Sequence, residues 1–146
     1  RDPGNMGTIL RSAEAAGVDL VLLPPGCTDP WSPKVVRAGM GAHFRLPILA
    51  GDWPVLARHL AGRPGWLAEA QGAVAYDCVD WTVPSVLVIG GETTGLSAEA
   101  SRLATGRVAI PMIGPVDSLN AAMAATIILF EAARQRRVVA SNAKKS

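Results

Sequence analysis

The segment Ile110-Pro-Met-Ile-Gly-Pro-Val-Asp-Ser-Leu-Asn120 is followed by an uncharged, mostly apolar run from Ala121 to Phe130. This order predicts a buried strand, then a tight Pro/Gly loop, then a buried helix. Ser118 and Asn120 are polar residues at the mouth of that helix. Because the first turn of a helix has unpaired backbone N–H groups, a loop packed against it can hold a small ligand through main-chain contacts.

The composition is that of one folded domain. The chain has 146 residues, of which 49% are hydrophobic and 18% are charged, so it can bury a core and is not disordered. The run from Ala121 to Phe130 is too short to span a bilayer, and no signal peptide is visible. We therefore expect a cytoplasmic protein with no membrane partner.

The charge is nearly balanced, at 14 − 12 = +2, which does not by itself indicate nucleic-acid binding. Cations nevertheless crowd the end of the chain, where Arg134, Arg136, Arg137, Lys144 and Lys145 lie. We interpret residues 138–146 as a solvated basic tail.

Cys27 and Cys78 are isolated, with no CxxC and no Cys/His cluster, so neither a metal site nor a disulfide scaffold is expected. They are interpreted as small thiols, buried or partly exposed, in a reducing compartment. His43 and His59 have no serine or aspartate constellation around them, and neither is expected to be catalytic.

Helical and strand patterns alternate along the chain, which predicts an α/β fold with a mostly parallel sheet covered by helices. Val86 to Ile89 is the strongest strand, because its consecutive aliphatic residues are typical of a parallel strand buried on both faces. Helices are predicted for residues 5–16, 33–40, 53–60, 97–103 and 119–136, and strands for 19–23, 44–49, 66–70, 73–76, 85–89 and 107–110.

The chain opens with Arg1-Asp2-Pro3-Gly4-Asn5, a turn signature that leads directly into a helix. In an α/β unit such a turn usually follows a strand, and there is no initiator methionine. We therefore expect a fragment that lacks at least one upstream strand.

Three loops are predicted to meet at the carboxyl ends of parallel strands, where ligands bind. They are Asp2–Asn5 with Arg11 on the following helix, Gly90–Ser97, and Ile110–Asn120. The glycine loop is neither GxGxxG nor a Walker loop. Its carboxylate, Glu92, disfavours a pyrophosphate and suits a cationic or hydroxyl-rich ligand.

Each of these features also has a purely structural interpretation. The glycines permit a turn with positive φ, and Arg11 alone is a surface charge. Asn5 and Ser118 alone are helix caps.

Taken together, the motifs resemble the catalytic domain of the SpoU, or TrmH, branch of the SPOUT methyltransferases. The resemblance covers almost the whole chain, with the motifs in order. They are Asp2-Pro-Gly-Asn5-Met-Gly-Thr-Ile-Leu-Arg11, Pro33-Lys-Val-Val-Arg-Ala-Gly-Met-Gly-Ala-His-Phe-Arg-Leu-Pro47, Leu87-Val-Ile-Gly-Gly-Glu92-Thr-Thr-Gly95-Leu-Ser97, and Ile110-Pro-Met112 through Ser118-Leu-Asn120.

The chain departs from the family pattern at two places. Gly39 stands where the family often has serine, in Arg-Ala-Ser-Met-Gly. Ala122 stands where the family usually continues Val-Ser-Val-Ala after the asparagine, which removes a hydroxyl near the site.

The resemblance implies that residues 1–137 form a catalytic domain with a C-terminal deep trefoil knot. It implies S-adenosylmethionine as the cofactor, contacted by Gly90, Ile110, Met112 and Leu119, and no metal. It implies a homodimer that acts on rRNA or tRNA, usually with an additional N-terminal RNA-binding domain.

The implied reaction is methyl transfer to a ribose 2′-hydroxyl. The family gives the principal catalytic role to the arginine of the first motif, here Arg11, with Asn5, Glu92, Ser118 and Asn120 completing the site. A guanidinium is normally protonated. Arg11 is therefore interpreted either as a base that needs unusual help or as an electrostatic clamp on the adjacent phosphate and the developing alkoxide.

Two other functions were weighed. A non-catalytic RNA-binding module would be favoured by loss of Arg11, Asn5 or Asn120, but all three are present. A dinucleotide-binding oxidoreductase is disfavoured because the GxGxxG loop and its downstream ribose-binding acid are missing.

Overall fold

The structure, a computed structural model, describes residues 2–90 and 97–145. The predicted alternation of helices and parallel strands is confirmed. The helices are α1 (Pro3–Ala15), α2 (Pro33–Gly39), α3 (Trp53–Leu60), α4 (Ala98–Leu103) and α5 (Ala121–Ala143), and the strands are β1 (Val21–Leu23), β2 (Ile48–Ala50), β3 (Gly65–Ala68), β4 (Val74–Ala75), β5 (Val86–Ile89) and β6 (Gly106–Ala109). Short 3-10 turns cover Ala42–Phe44 and Tyr76–Cys78.

The chain divides into two compact units, one ending at Ala61 and one beginning at Gly62, whereas the composition had predicted a single domain. The first unit contains α1 to α3 and a parallel pair of strands, β1 and β2, with Val21 opposite Ile48. The second contains a parallel four-stranded sheet in the order β4-β6-β3-β5, together with α4 and α5.

Helix α1 begins at Pro3, earlier than predicted, because Asp2 caps it. The Asp2 carboxylate accepts the backbone N–H of Asn5 at 3.0 Å, and Pro3 supplies the φ that a first helical position needs. The cap is therefore Asp2 and not Asn5. Farther along, α1 packs against α2 at Gly7, where any β-carbon would collide with the side chain of Ala38.

The strand predicted for residues 44–49 is wrong at its beginning. Met40 and Gly41 both have left-handed backbones, with φ of 49° and 86°, so the chain reverses after α2. It then continues as the 3-10 turn Ala42–Phe44, closed by a hydrogen bond from Arg45 N–H to the Ala42 carbonyl at 3.0 Å. The strand itself is confined to Ile48–Ala50.

The core of the second unit forms around Val79, Trp81, Val108 and Ile128, all at most 4% exposed. Trp66 meets Trp81 edge-on, with ring centroids 6.4 Å apart. Strand β5 was expected to be buried on both faces, but all of its residues are only half-buried. The reason is its place at the edge of the described sheet, beside β3.

Helix α5 starts two residues later than predicted and runs on to Ala143, through the predicted boundary at residue 137 without a break. Its second half is tied to the segment before β5. Gln135 accepts the Trp81 N–H at 2.9 Å and donates to the Val79 carbonyl at 3.0 Å, and Arg136 donates to the Trp81 carbonyl at 2.8 Å. Arg136 is therefore a structural residue, not part of a solvated run of cations.

Glu131 on the same helix makes stability depend on pH. Hydrogen bonds from Arg134 at 2.7 and 2.8 Å lower the pKa of the Glu131 carboxyl from 4.5 to about 2, against the effect of burial and with help from Gln135. A lowered pKa in the folded state stabilises the protein above pH 4.5, and this contribution is lost as the pH falls towards 2.

We therefore expect the unfolding free energy of Glu131→Gln to decrease less between pH 5 and pH 2 than that of the unchanged chain. Urea denaturation at a series of pH values measures this. Glu99→Gln, at an exposed carboxylate, is the matched control and should retain the full acid sensitivity. Equal acid sensitivity in Glu131→Gln would contradict the assignment.

Candidate active site

The first unit holds two of the predicted catalytic residues, Asn5 and Arg11. Asn5 lies in the first turn of α1, and its N–H bond to Asp2, with a second from Gly4, lowers the pKa of the Asp2 carboxyl. Arg11 is exposed on α1. It lies one turn beyond Gly7, so it shares the helix face that contacts α2.

The second unit places two of the predicted cofactor residues at one edge of its sheet. Gly90 directly follows β5 and Ile110 directly follows β6, and β3 lies between these strands with Ala68 opposite both Ile89 and Val108. Since neighbouring strands are about 4.8 Å apart, Gly90 and Ile110 are separated by roughly 10 Å across the sheet. The prediction that these two loops follow carboxyl ends of parallel strands is confirmed.

The loop from Ile110 to Asn120 is apolar at its base and exposed at its tip. Ile110 is half-buried and packs against the Val79–Trp81–Val108–Ile128 core. Met112 and Leu119 are also half-buried, whereas Ile113 is fully exposed. The three predicted cofactor contacts of this loop therefore form its semi-buried part.

Asn120 is the N-cap of α5, and Ser118 is an exposed residue before it. The Asn120 Oδ1 atom accepts the backbone N–H groups of Ala122 at 2.9 Å and Met123 at 3.2 Å. The capping role that the sequence allowed for Ser118 belongs to Asn120 instead. Both lone pairs of Oδ1 are therefore used in capping the helix.

Glu92 lies outside the described residues, as does most of the Gly90–Ser97 motif. Asn5 and Arg11 belong to the first unit, and Ser118 and Asn120 to the second. Their meeting in one catalytic site stays a prediction.

The comparison with protein families decides the identity of the chain. Residues 1–130 match the sequence model of the SpoU rRNA Methylase family. The chain belongs to this family.

Relatives of this SpoU-family chain include enzymes named for rRNA methylation. Mitochondrial rRNA methyltransferase 3 of Mus musculus is 41% identical, over 94% of this chain and 45% of the mouse protein. The 23S rRNA (uridine(2479)-2′-O)-methyltransferase of Streptomyces viridochromogenes is 43% identical, over 92% of this chain and 50% of that enzyme. The SpoU chain thus spans about half the length of these relatives.

A solved structure gives the same assignment. The SpoU methyltransferase AviRb from Streptomyces viridochromogenes, crystallised with the cofactor AdoMet (S-adenosylmethionine), superposes with a TM-score of 0.83 at 40% identity. The match covers 94% of this chain and 58% of AviRb. The predicted membership in the SpoU branch, and the coarse α/β fold with parallel sheets, are confirmed.

One residue at the sheet edge of the SpoU chain was missed by sequence reasoning. Glu69 follows β3, between the ends of β5 and β6, and its N–H donates to the Val108 carbonyl at 3.0 Å. Its carboxylate pairs with Arg107 at 2.6 Å. A carboxylate directly after a parallel strand is the signal that would have found it.

Several other features of the SpoU chain carry no predicted site residue. A cavity of about 430 Å³ at the ends of β1 and β2 is lined by residues 23–30 and 50–52.

Within residues 2–90 and 97–145, no group of three or more Cys, His, Asp or Glu side chains could hold a metal. The same residues contain no helix long and apolar enough to cross a membrane. Cys27 and Cys78 are both exposed.

Proposed function

We propose that the chain is the catalytic part of an S-adenosylmethionine-dependent methyltransferase that acts on a ribose 2′-hydroxyl of rRNA or tRNA. The single observation that carries the proposal is the family match over residues 1–130. It is supported by relatives above 40% identity named as rRNA methyltransferases, one of them a 2′-O-methyltransferase.

The residues at the sheet edge of the second unit fit the proposed cofactor. Gly90, directly after a strand, has no side chain to keep a ligand from its backbone, and Ile110, Met112 and Leu119 offer half-buried apolar surface. Such a lining would recognise a ligand mainly through main-chain and apolar contacts, which explains the lack of a dinucleotide fingerprint. When bound, the cofactor supplies the methyl group as an activated sulfonium.

In the proposed reaction the ribose oxygen would bond to the methyl carbon as the carbon–sulfur bond breaks. The sulfonium would become a neutral thioether, and the hydroxyl proton would pass to solvent water. A hydroxyl is a weak nucleophile, so its orientation and the charge on its oxygen limit the rate. Arg11 would hold the adjacent phosphate and stabilise the negative charge that develops on the oxygen. Asn5, Glu92, Ser118 and Asn120 would complete the site.

We also infer the C-terminal trefoil knot that the family resemblance implies. Family membership supports it. A crystal structure whose density traces the chain continuously from β5 to α5 tests the threading directly.

We further propose a homodimer formed through α5. Met123, Ile127 and Phe130 are 60%, 37% and 48% exposed, and their spacing places them on one face of the helix. Sedimentation should give a dimer at micromolar concentration. Phe130→Asp should give a folded monomer, because dimer formation would then bury an aspartate charge at the interface. The control Val83→Asp, at an exposed valine of the second unit, should leave the dimer intact. A monomeric unchanged chain would contradict the proposal.

We propose a cytoplasmic location, which the two exposed thiols support because free cysteines persist in reducing compartments. Cell fractionation tests this.

The enzyme class is tested by calorimetry with S-adenosylmethionine and with NAD. We expect the chain to bind S-adenosylmethionine and not NAD. Binding of NAD alone would favour the oxidoreductase instead.

A further inference from the structure

Three large apolar side chains of the first unit are displayed to solvent around one buried histidine. Trp31, Met40 and Phe44 are 59%, 65% and 87% exposed, whereas His43 is 8% exposed. The Trp31 ring lies 5.0 Å from the His43 ring. Phe44 is the next residue along the chain, and Met40 follows Gly39, whose backbone lies against the imidazole. We call Trp31, Met40, His43 and Phe44 the His43 corner.

The His43 corner is held in place by contacts that leave little freedom. The His43 Nε2 atom is 2.6 Å from the Pro30 carbonyl oxygen, which joins the turn to the segment that carries Trp31. A β-carbon at Gly39 would lie 2.8 Å from His43 Cε1, so any side chain there would force the ring to move. Met40 itself adopts the left-handed region that residues with side chains rarely enter.

Met40, which is strained and exposed, and Phe44, which is almost fully exposed, contribute nothing to the core. Residues in such backbone conformations persist where the surroundings fix them, and they cluster at functional sites. The buried imidazole thus acts as the positioning residue, and Trp31, Met40 and Phe44 are the side chains it presents.

Cations lie beside the His43 corner and could contact the phosphates of a nucleic acid. Residues 30–51 contain Lys34, Arg37 and Arg45 but no Asp or Glu. Lys34 and Arg37 are exposed on α2. Three carboxylates of neighbouring segments offset these cations. Asp29 accepts the backbone N–H of Trp31 at 2.9 Å, Asp2 lies near enough to Lys34 to interact with it, and Glu14 binds Arg45 at 2.7 Å.

Exposed aromatic rings interleaved with cations have the chemistry that binds unpaired nucleobases. Bases stack on aromatic faces while lysine and arginine neutralise the phosphates. Helix α2, which leads into the His43 corner, packs against α1 at Gly7, one turn from Arg11. A base held at the corner would therefore belong to the RNA strand that reaches Arg11.

We propose that the His43 corner is a stacking surface for an unpaired base of the substrate RNA, with Arg37 and Lys34 contacting its backbone. This inference rests on the proposed RNA methyltransferase function. The alternative occupant, a second copy of the chain, would use the same apolar atoms but would not require an aromatic ring face.

The test measures binding of the chain to a short, unstructured, fluorescent RNA by anisotropy at low salt, without cofactor. Phe44→Ala and Trp31→Ala should each weaken binding by about five- to a hundredfold, the effect of losing one stacked base. Phe44→Tyr should bind like the unchanged chain, whereas Phe44→Leu, which keeps the apolar bulk but not the ring, should weaken binding. Val83→Ala, at an exposed valine of the second unit, is the matched control and should have no effect.

Two further measurements on the same variants separate the explanations. Calorimetry with S-adenosylmethionine should give unchanged affinity, and sedimentation should give an unchanged oligomeric state. The proposal is overturned if the unchanged chain does not bind the RNA, if Phe44→Leu binds as tightly as the unchanged chain, or if Phe44→Ala dissociates an oligomer. Failure of the proposed methyltransferase function would appear separately, as absent cofactor binding with RNA binding intact.

Discussion

Replacement of Arg11 by alanine is expected to lower the rate of methyl transfer by about a hundredfold or more, with little change in cofactor affinity. Losing one preorganised charged group at a site of developing charge typically has an effect of this size. Arg11 is exposed on α1, so the substitution leaves the buried face of Leu10 and Ala13 intact. Single-turnover methylation and calorimetry on the same preparation measure the two quantities.

Two variants sharpen the test of Arg11. Arg11→Lys keeps the charge but loses the planar fork that binds phosphate through two hydrogen bonds, and it should recover only part of the rate. Arg58→Ala removes an equally exposed cation from α3 and should methylate normally. A normal single-turnover rate in Arg11→Ala would remove Arg11 from the catalytic site.

Replacement of Gly90 by valine is expected to abolish binding of S-adenosylmethionine while the chain still unfolds cooperatively. Gly90 follows the last residue of β5, at the edge of the sheet that also ends in Ile110. A branched side chain there would occupy the space in which a ligand approaches the backbone, whereas β5 itself would keep its pairing with β3. Calorimetry with the cofactor and urea denaturation measure binding and folding.

Gly90→Ala provides the graded comparison. A single methyl group should weaken binding less than the valine side chain does, because it fills less of the same space. Equal cofactor affinity in the unchanged chain and in Gly90→Val would show that the backbone at Gly90 is not part of the cofactor site. Loss of cooperative unfolding would instead assign the effect to the fold.

Local rules predicted much of the fold. Helix α3 was predicted with its observed bounds, because Trp53-Pro54 starts it and Gly62 and Pro64 follow it closely. The start of α1 was misplaced because Asp2, a strong capping residue, lies before the first apolar position. These outcomes depend only on neighbours in the sequence.

Other features depended on contacts between distant residues. The second half of α5 is anchored by Gln135 and Arg136, which bind the backbone of Val79 and Trp81 more than fifty residues earlier, and the helix continues to Ala143. The turn at Met40 is left-handed in a residue type that disfavours it, where the His43 ring lies against Gly39. Neither the spacing of hydrophobic residues nor the helix and strand propensities of single residues predict these two arrangements.

The candidate site was predictable only through its motifs. The resemblance led to Gly90, Ile110 and Asn120, and the structure then placed the first two after parallel strands and the third at a helix cap. The position of Glu69 between two strand ends was not predicted because it arises from strand order, since β3 lies between β5 and β6 although it precedes both in the chain.

The most direct test of the account is transfer of a radiolabelled methyl group from S-adenosylmethionine to rRNA and tRNA, with the modified position mapped on the RNA. The account predicts a labelled RNA whose modified nucleotide carries the methyl group on its ribose 2′-oxygen, and loss of the label with Arg11→Ala. Label on a base, or RNA binding and cofactor binding without any transfer, would contradict it.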